Sequence, residues 1–252
     1  MINIILSGCN GKMGQVITRL AAEDTEVQIV AGFDIADTLP NTYPVYTNPA
    51  ECEEKADVVI DFSHPSAFDG VMGYCKRTST PVIMATTGLS AEQREEMQEA
   101  AKIIPLFFSA NMSLGINLLI NLAKKATAVL EDGYDIEIVE KHHNQKIDAP
   151  SGTALAIADG ISEVLTEQSE YVYDRHNVRR KRRKNEIGIH AVRGGTIVGE
   201  HDVIFAGLDE VIELKHSATS KEVFAVGAIK AAKFMAGKPV GMYSMNDLFG
   251  EF

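Results

Sequence analysis

The sequence predicts an α/β protein with two domains: a Rossmann-like parallel-sheet nucleotide domain, and a smaller α+β domain with a mixed sheet. Three observations predict it. Short apolar, β-branched runs alternate with helical stretches over the first 111 residues, the pattern of βαβ units. The first run ends in a glycine-rich turn that leads straight into a helical stretch, SGCNGKMG. After Asn111 the pattern changes to longer strand-like runs joined by short glycine-bearing connections, which points to a mixed or antiparallel sheet.

The elements follow in order. INIILSG (2–8) reads as a buried parallel strand, and a helix is expected from about Lys12 to Ala22. EVQIVAGFD (26–34) and ADVVIDFS (56–63) are further strands, the second followed by a helix over 65–77 that opens with Pro65. PVIMATTG (81–88) is a strand, and Ser90 with Gln93 forms a capping box for a helix over 91–102. PLFFSAN (105–111) ends this series. An amphipathic helix over 115–131 then leads into DIEIVEKHH (135–143), and Ser151 to Leu165 reads as the next helix. EIGIHAVRG, TIVGEHDVIFAG and EVIELKHSA are strands of the second sheet. The alanine-rich helix 220–236 returns to the first domain. The expected dinucleotide-binding domain is therefore 1–112 with 223–252, and the second domain is 113–222.

Composition excludes several functions. The chain has 252 residues, 24 basic against 35 acidic, and a net charge of −11. That balance opposes general affinity for nucleic acid or acidic membranes. No apolar run is long enough to span a bilayer and no leader pattern precedes the first strand, so a cytoplasmic enzyme is expected. Cys9, Cys52 and Cys75 form no CxxC pair and read as small buried hydrophobes in a reduced compartment. The basic run RRKRRK (179–184) reads as a solvated loop.

Two stretches carry the chemistry. In SGCNGKMG, Gly8, Gly11 and Gly14 stand where a strand-to-helix turn lets the backbone approach a pyrophosphate at a helix N-terminus. Asp34 lies 20 residues beyond Gly14, at the end of the second strand, where a carboxylate accepts hydrogen bonds from an adenosine ribose. Asp34 favours the bare ribose of NADH, whereas Lys12 is the nearby cation for a 2′-phosphate. NADH and NADPH are both expected to serve.

The second stretch is EKHHNQKIDAPSGTA (140–154), a strand-to-helix loop. Pro150 ends the strand and Ser151 is a candidate N-cap, so Ser151, Gly152 and Thr153 offer amide and hydroxyl donors to a carboxylate or phosphate. His142 and His143 point to opposite faces of an extended chain, so one is a candidate general acid and the other a substrate ligand. Lys146 adds a fixed positive charge. His176, His190, His201 and His216 show no ligand spacing, and no metal site is expected.

The segment Glu137 to Ala154, E-x-x-E-x-H-H-x-x-K-x-D-A-P-S-G-T-A, closely resembles the signature of the 4-hydroxy-tetrahydrodipicolinate reductase (dihydrodipicolinate reductase) family. SGCNGKMG, ATTG (85–88), SANMSLGIN (109–117), RGGTIVGEH (193–201) and FAVGAIKAA (224–232) extend the resemblance along essentially the whole chain. It implies NAD(P)H-dependent reduction of a cyclic dicarboxylate in diaminopimelate and lysine synthesis, with hydride delivered to ring C4. It implies His142 as general acid, Lys146 as its hydrogen-bonding or proton-relaying partner, and His143, Lys146, Gly152 and Thr153 as carboxylate ligands. Gly8, Lys12, Met13, Asp34, Thr86, Gly88 and Ser109, Ala110, Asn111 and Met112 would line the coenzyme. It also implies a homotetramer built through the second domain's sheet. Lys230 departs from the arginine frequent in related sequences and is assigned no role. Another nicotinamide-dependent dehydrogenase would have no need of the paired anion site, and a non-catalytic nucleotide sensor would show a degraded cluster.

Overall fold

The computed structural model describes residues 1–250, so residues 251–252 of the expected nucleotide domain lie outside the described residues. Two compact units are present: Met1–Leu114 together with the segment from Glu222 onward, and Gly115–Lys221.

The first unit begins with β1 (Ile2–Ser7), α1 (Lys12–Glu23), β2 (Val27–Phe33), β3 (Val45–Tyr46) and β4 (Val58–Asp61). It continues with α2 (Phe68–Thr78), β5 (Val82–Met84), α3 (Ala91–Ala100) and β6 (Pro105–Phe108). The second unit holds α4 (Leu114–Leu130), whose first residue belongs to the first unit, then β7 (Asp135–His142), α5 (Gly152–Ser162), β8 (Glu170–Val172), β9 (Glu186–Arg193), β10 (Gly199–Ala206) and β11 (Val211–Ala218). The chain returns to the first unit with α6 (Glu222–Met235), β12 (Gly241–Tyr243) and α7 (Met245–Phe249).

The first sheet has the order β12-β6-β5-β4-β1-β2-β3, and all its pairings are parallel. A parallel sheet is covered on both faces, so consecutive strand residues must both be apolar. They are: Ile4, Leu6, Ile60, Ile83 and Phe107 pack in one core with α1 and α6, while Ile5, Val59, Val82, Met84 and Leu106 pack in the other with α2 and α3. The thiols of Cys9, Cys52 and Cys75 are free and buried.

The expected helix over 65–77 is corrected. Pro65–Ala67 forms a tighter 3₁₀ turn, closed by Ala67 N donating to His64 O at 2.9 Å and capped by Ser66 N donating to His64 Nδ1 at 3.2 Å, and the α-helix starts only at Phe68. The helix expected from Ser151 to Leu165 spans only Gly152–Ser162, because its end tightens into an i→i+3 bond from Val164 N to Ile161 O. The capping box at Ser90 and Gln93 is present, with bonds of 3.2 and 3.0 Å. Strands β3, β8 and β12 have two or three residues each, too short to leave a periodic pattern.

The second sheet has the order β11-β10-β7-β9-β8 and is mixed: β7 runs parallel to β9 and antiparallel to β10. One face carries Ile136, Ile138, Ile187, Ile189, Val203 and Phe205 against α4 and α5. On the other face RRKRRK is the loop expected, with five of its six residues exposed, but it is tied to the sheet. Arg182 bonds Asp135 at 2.8 Å and Glu137 at 3.1 Å, and Arg180 pairs with the buried Glu186. Arg183 pairs with Glu170 of β8 at 3.2 Å, so half of this basic run neutralises acids of the sheet's own strands.

Gly227 shows how closely α6 seats in the first unit: a Cβ there would lie 1.8 Å from the Met112 carbonyl oxygen, a backbone atom that cannot swing away. Gly73, on the exposed side of α2, has nothing within 4 Å of a built Cβ. Gly227→Ala should therefore destabilise the fold by about 1–3 kcal/mol through overpacking. Gly73→Ala should be neutral or stabilising by up to about 1 kcal/mol through helix propensity. Thermal denaturation of the two variants beside wild type checks both signs.

Candidate active site

In the first unit the turn after β1 is fixed by backbone contact. Gly8 has φ +78°, and a Cβ there would lie 2.7 Å from Phe62 O. At Gly14 it would lie 2.2 Å from Gly8 O, so this glycine serves helix–turn packing. Gly11 is the N-cap of α1, and no side chain caps the helix, which leaves its first amide groups available to an anion. Asp34 sits at the end of β2, its Oδ2 accepting from Asn10 N and its Oδ1 from Ile35 N, both at 2.8 Å.

Gly8, Asn10, Gly11 and Asp34 line a cavity of about 640 Å³ at the carboxyl ends of the parallel strands, the usual ligand position in such sheets. Thr86, Ala110 and Met112 line a second cavity of about 280 Å³ beside Phe62 and Ser63. Beneath it, the Thr86 hydroxyl donates to the fully buried Asp61 at 2.6 Å. The rest of the expected coenzyme set lines neither cavity. Lys12 is exposed on the first turn of α1, and Met13 packs against the core. Gly88 forms a turn at φ +78°, Ser109 Oγ donates to Asn111 O at 2.8 Å, and Asn111 Oδ1 accepts from Ser113 N at 2.9 Å. The cavity, the uncapped helix start and the placed carboxylate together fit a dinucleotide.

In the second unit the parallel pairing of β7 and β9 sets His142 opposite Arg193, and the antiparallel pairing of β7 with β10 sets Glu140 opposite His201. Glu140 is wholly buried and its carboxylate takes four donors. Oε1 accepts from Ser151 N at 2.9 Å and Arg193 Nη2 at 2.7 Å, while Oε2 accepts from Arg193 Nη1 and His142 Nδ1, both at 2.7 Å. Burial opposes ionisation of Glu140, but the bonds from Arg193, His142 and the Ser151 amide outweigh it and hold the carboxyl below its ordinary range. Arg193 also donates to Asp148 O at 2.7 Å, which pins the loop carrying Lys146.

His142 is 8 % exposed and His143, just past the strand, is half-buried. With Nδ1 on Glu140, the nitrogen of His142 left for chemistry is Nε2. A Cβ at position 199 would lie 3.1 Å from it, so Gly199 keeps that nitrogen uncrowded. Lys146 Nζ pairs with Asp148 Oδ1 at 2.8 Å. Gly152 opens α5 exposed, with nothing within 4 Å of a built Cβ, and Thr153 follows it. Ser151 corrects an expectation. It is 2 % exposed, its amide is on Glu140, and its hydroxyl accepts from Ala154 N at 3.2 Å and meets His201 Nε2 at 3.3 Å. Ser151 caps the helix rather than facing a ligand.

Sequence reasoning assigned no role to Asn10, Asp61, Glu140, Arg193 or His201. Glu140 had a readable signal, since it lies two residues before His142 and so on the same strand face. The pairing of Arg193 with Glu140, 53 residues away, had none.

Burial first, and the charge of His142 second, push His201 down to about 4. Unfolded, it titrates near 6.5, so below about that pH the unfolded chain binds a proton that the folded chain refuses. This histidine should therefore cost about 2 kcal/mol of stability between about pH 7 and about pH 5, reaching its limit near pH 4. The contribution of Glu140 has the opposite origin and is lost only below about pH 4.3, its unfolded value. Thermal melts at the two pH values should show a smaller acid penalty for His201→Gln than for wild type.

Known proteins resemble this chain along nearly its whole length. The family description "Dihydrodipicolinate reductase, N-terminus" matches residues 2–112, and "Dihydrodipicolinate reductase, C-terminus" matches residues 115–249. A 4-hydroxy-tetrahydrodipicolinate reductase of Caldanaerobacter subterraneus subsp. tengcongensis is 59% identical over 98% of both chains, and one of Clostridium novyi is 52% identical over 98% of both. A dipicolinate-bound dihydrodipicolinate reductase structure from Paenisporosarcina sp. TG-14 superposes with a TM-score of 0.83 at 25% identity, covering 97% of each chain. An amine dehydrogenase of Mycobacterium smegmatis, 10% identical, shares the fold at a TM-score of 0.66 over 97% of this chain and 95% of its own. With both of its parts matched along nearly its whole length, the chain belongs to the dihydrodipicolinate reductase family.

Proposed function

We propose that the chain reduces 4-hydroxy-tetrahydrodipicolinate to tetrahydrodipicolinate with NADH or NADPH, a step of diaminopimelate and lysine synthesis. The observation that carries this reading is His142, held through Nδ1 by a buried carboxylate to which the amide at the start of α5 also donates, with Lys146 in the loop between them. A polar cluster so placed suits a small dicarboxylate whose ring accepts a proton.

The first unit's residues would hold the coenzyme. Gly8 and Gly11 admit the pyrophosphate to the start of α1, and Asp34 accepts from the adenosine ribose. Thr86, Ala110 and Met112 line the space for the nicotinamide end. Reduced nicotinamide, when bound, supplies the hydride for ring C4. The second unit's residues act on the substrate. Gly152 and Thr153 at the helix start, with His143 and Lys146, bind its carboxylates and neutralise their charge. Loss of water from the 4-hydroxy substrate leaves a conjugated C=C–C=N system, and His142 Nε2 holds the proton that, with the hydride, completes its two-electron reduction. Lys146, drawn from Asp148 to the substrate, fixes the ring against that nitrogen. Assembly as a homotetramer through the second sheet, which the family resemblance implies, belongs to the same proposal. Among the described residues no helix is long and apolar enough to cross a membrane.

The test follows nicotinamide absorbance, with substrate generated in situ from pyruvate and aspartate semialdehyde by the preceding synthase. Wild type should oxidise both coenzymes. NADH should be at least as good as NADPH, because Asp34 lines the adenosine cavity and Lys12 does not. His142→Gln should lose about 10²–10⁴-fold in kcat, the contribution of a positioned proton donor. Tight NADH binding without turnover in wild type would reject the reading.

A further inference from the structure

We propose that Glu140 is a positioning residue for the reduction: it fixes the proton of His142 on Nδ1, so that the transferable proton always resides on Nε2, and Arg193 keeps Glu140 from taking that proton itself. The proposal rests on the reductase reading and adds two residues to it.

The geometry is that of a locked acid. An ionised carboxylate can only accept, so the 2.7 Å contact between Glu140 Oε2 and His142 Nδ1 requires a proton on Nδ1. Neutral His142 then carries its lone pair on Nε2, and the imidazolium carries its second proton there. After donation from Nε2 the ring needs no tautomer change before it is recharged. The carboxylate could spoil this only by accepting the Nδ1 proton. Arg193 opposes that outcome with two parallel 2.7 Å bonds, one to each oxygen, and the Ser151 amide adds a third donor at 2.9 Å. A proton arriving on either oxygen would face a donor already occupying its place. His201 stands edge-on to His142, ring centroids 5.2 Å apart, and limits rotation of the ring. Both other links of Arg193 run to backbone, the carbonyls of Val192 and Asp148, so its fork cannot be reoriented without moving the loop of Lys146.

A carboxylate that only filled space in the fold would not set the tautomer of its neighbour or act through it alone, and two measurements separate these roles. The first uses wild-type enzyme labelled with ¹⁵N-histidine, with the ring signals of His142 assigned by their loss in His142→Gln. Near neutral pH the long-range ¹⁵N–¹H pattern should show Nδ1 protonated. A neutral His142 with its proton on Nε2 overturns the proposal, and this measurement needs no variant at position 140.

The second is a double-mutant cycle on kcat in the coupled synthase assay, with NADH affinity by fluorescence as the check that each variant is folded. Glu140→Gln should lose about 10²-fold in kcat, within what the donor contributes, with the KM for NADH unchanged. In the His142→Gln background the same change should cost less than about threefold, because the residue it serves is gone. Full additivity of the two losses would make Glu140 a structural residue and reject the proposal, while leaving the reductase reading intact. An unaffected His142→Gln would reject the acid assignment itself, and this proposal with it.

Discussion

A carboxylate with no access to solvent must be paired, and Glu140 imposes that requirement on the whole second unit. An unpaired buried charge costs several kcal/mol, more than most single contacts return. Its four donors come from three separate places: the end of the same strand, the end of β9 and the amide of the N-cap before α5. Satisfying one charge therefore sets where Arg193 lies, where the loop of Lys146 is pinned, and where the helix that presents Gly152 and Thr153 begins. Register is fixed by the same demand. A slip of one residue between β7 and β9 would move Glu140 to the other face and leave Arg193 without its partner. His201, opposite Glu140 on β10, is left in the same desolvated space and stays neutral.

The first unit is governed by a different constraint, the close passage of backbone past backbone. Gly8 touches the chain after β4, and Gly14 touches Gly8 and Cys9. Side chains are absent from these contacts because there is no room for them, and the turn so formed brings Gly11, the N-cap of α1, to the wall of the cavity. Asp34 depends on the same turn, since one of its two amide bonds comes from Asn10, the residue between the glycines. A dinucleotide site built this way relies on conformation more than on side-chain identity, which is why its outline is legible in so few letters.

Legibility in the sequence follows how local each cause is. The doubly covered sheet, the glycine turn and the Ser90 capping box depend on neighbours in the chain, and all three are readable from pattern alone. The strand-to-helix loop carrying His142, Lys146 and Gly152 is readable for the same reason. What escaped the reading depends on pairing across the chain. Glu140 and Arg193 are 53 residues apart, and Arg182 reaches Asp135 across 47. Seen as letters, RRKRRK is an exposed charge block, and only the register of β7 shows that acids await it. The full set of Ser151 partners is hidden for a related reason. A serine at a helix start is available to a ligand only if nothing else uses its donors, and Glu140 and His201 lie outside any local window.

Strand β7 carries the same kind of pairing on both of its faces. Glu137 and Glu140 are three residues apart, so they stand on opposite faces of the sheet. Both are clamped by arginine: Glu137 by Arg175 at 2.8 Å and Arg182 at 3.1 Å, Glu140 by the fork of Arg193. Both also meet a histidine at 2.7 Å, His190 on one face and His142 on the other. For Glu137, as for Glu140, burial resists ionisation and the hydrogen bonds prevail, those from His190 and Arg175 foremost. The difference lies in what surrounds the histidine. His190 is bound through Nε2, at the tip of its ring, whereas His142 is bound through Nδ1 and turns its tip toward the space that Gly199 leaves open. The same pair of residue types closes a structural network on one face and, on the other, leaves Nε2 of the ring turned to open space, as the proposed proton transfer requires. The choice is made by which ring nitrogen the carboxylate reaches.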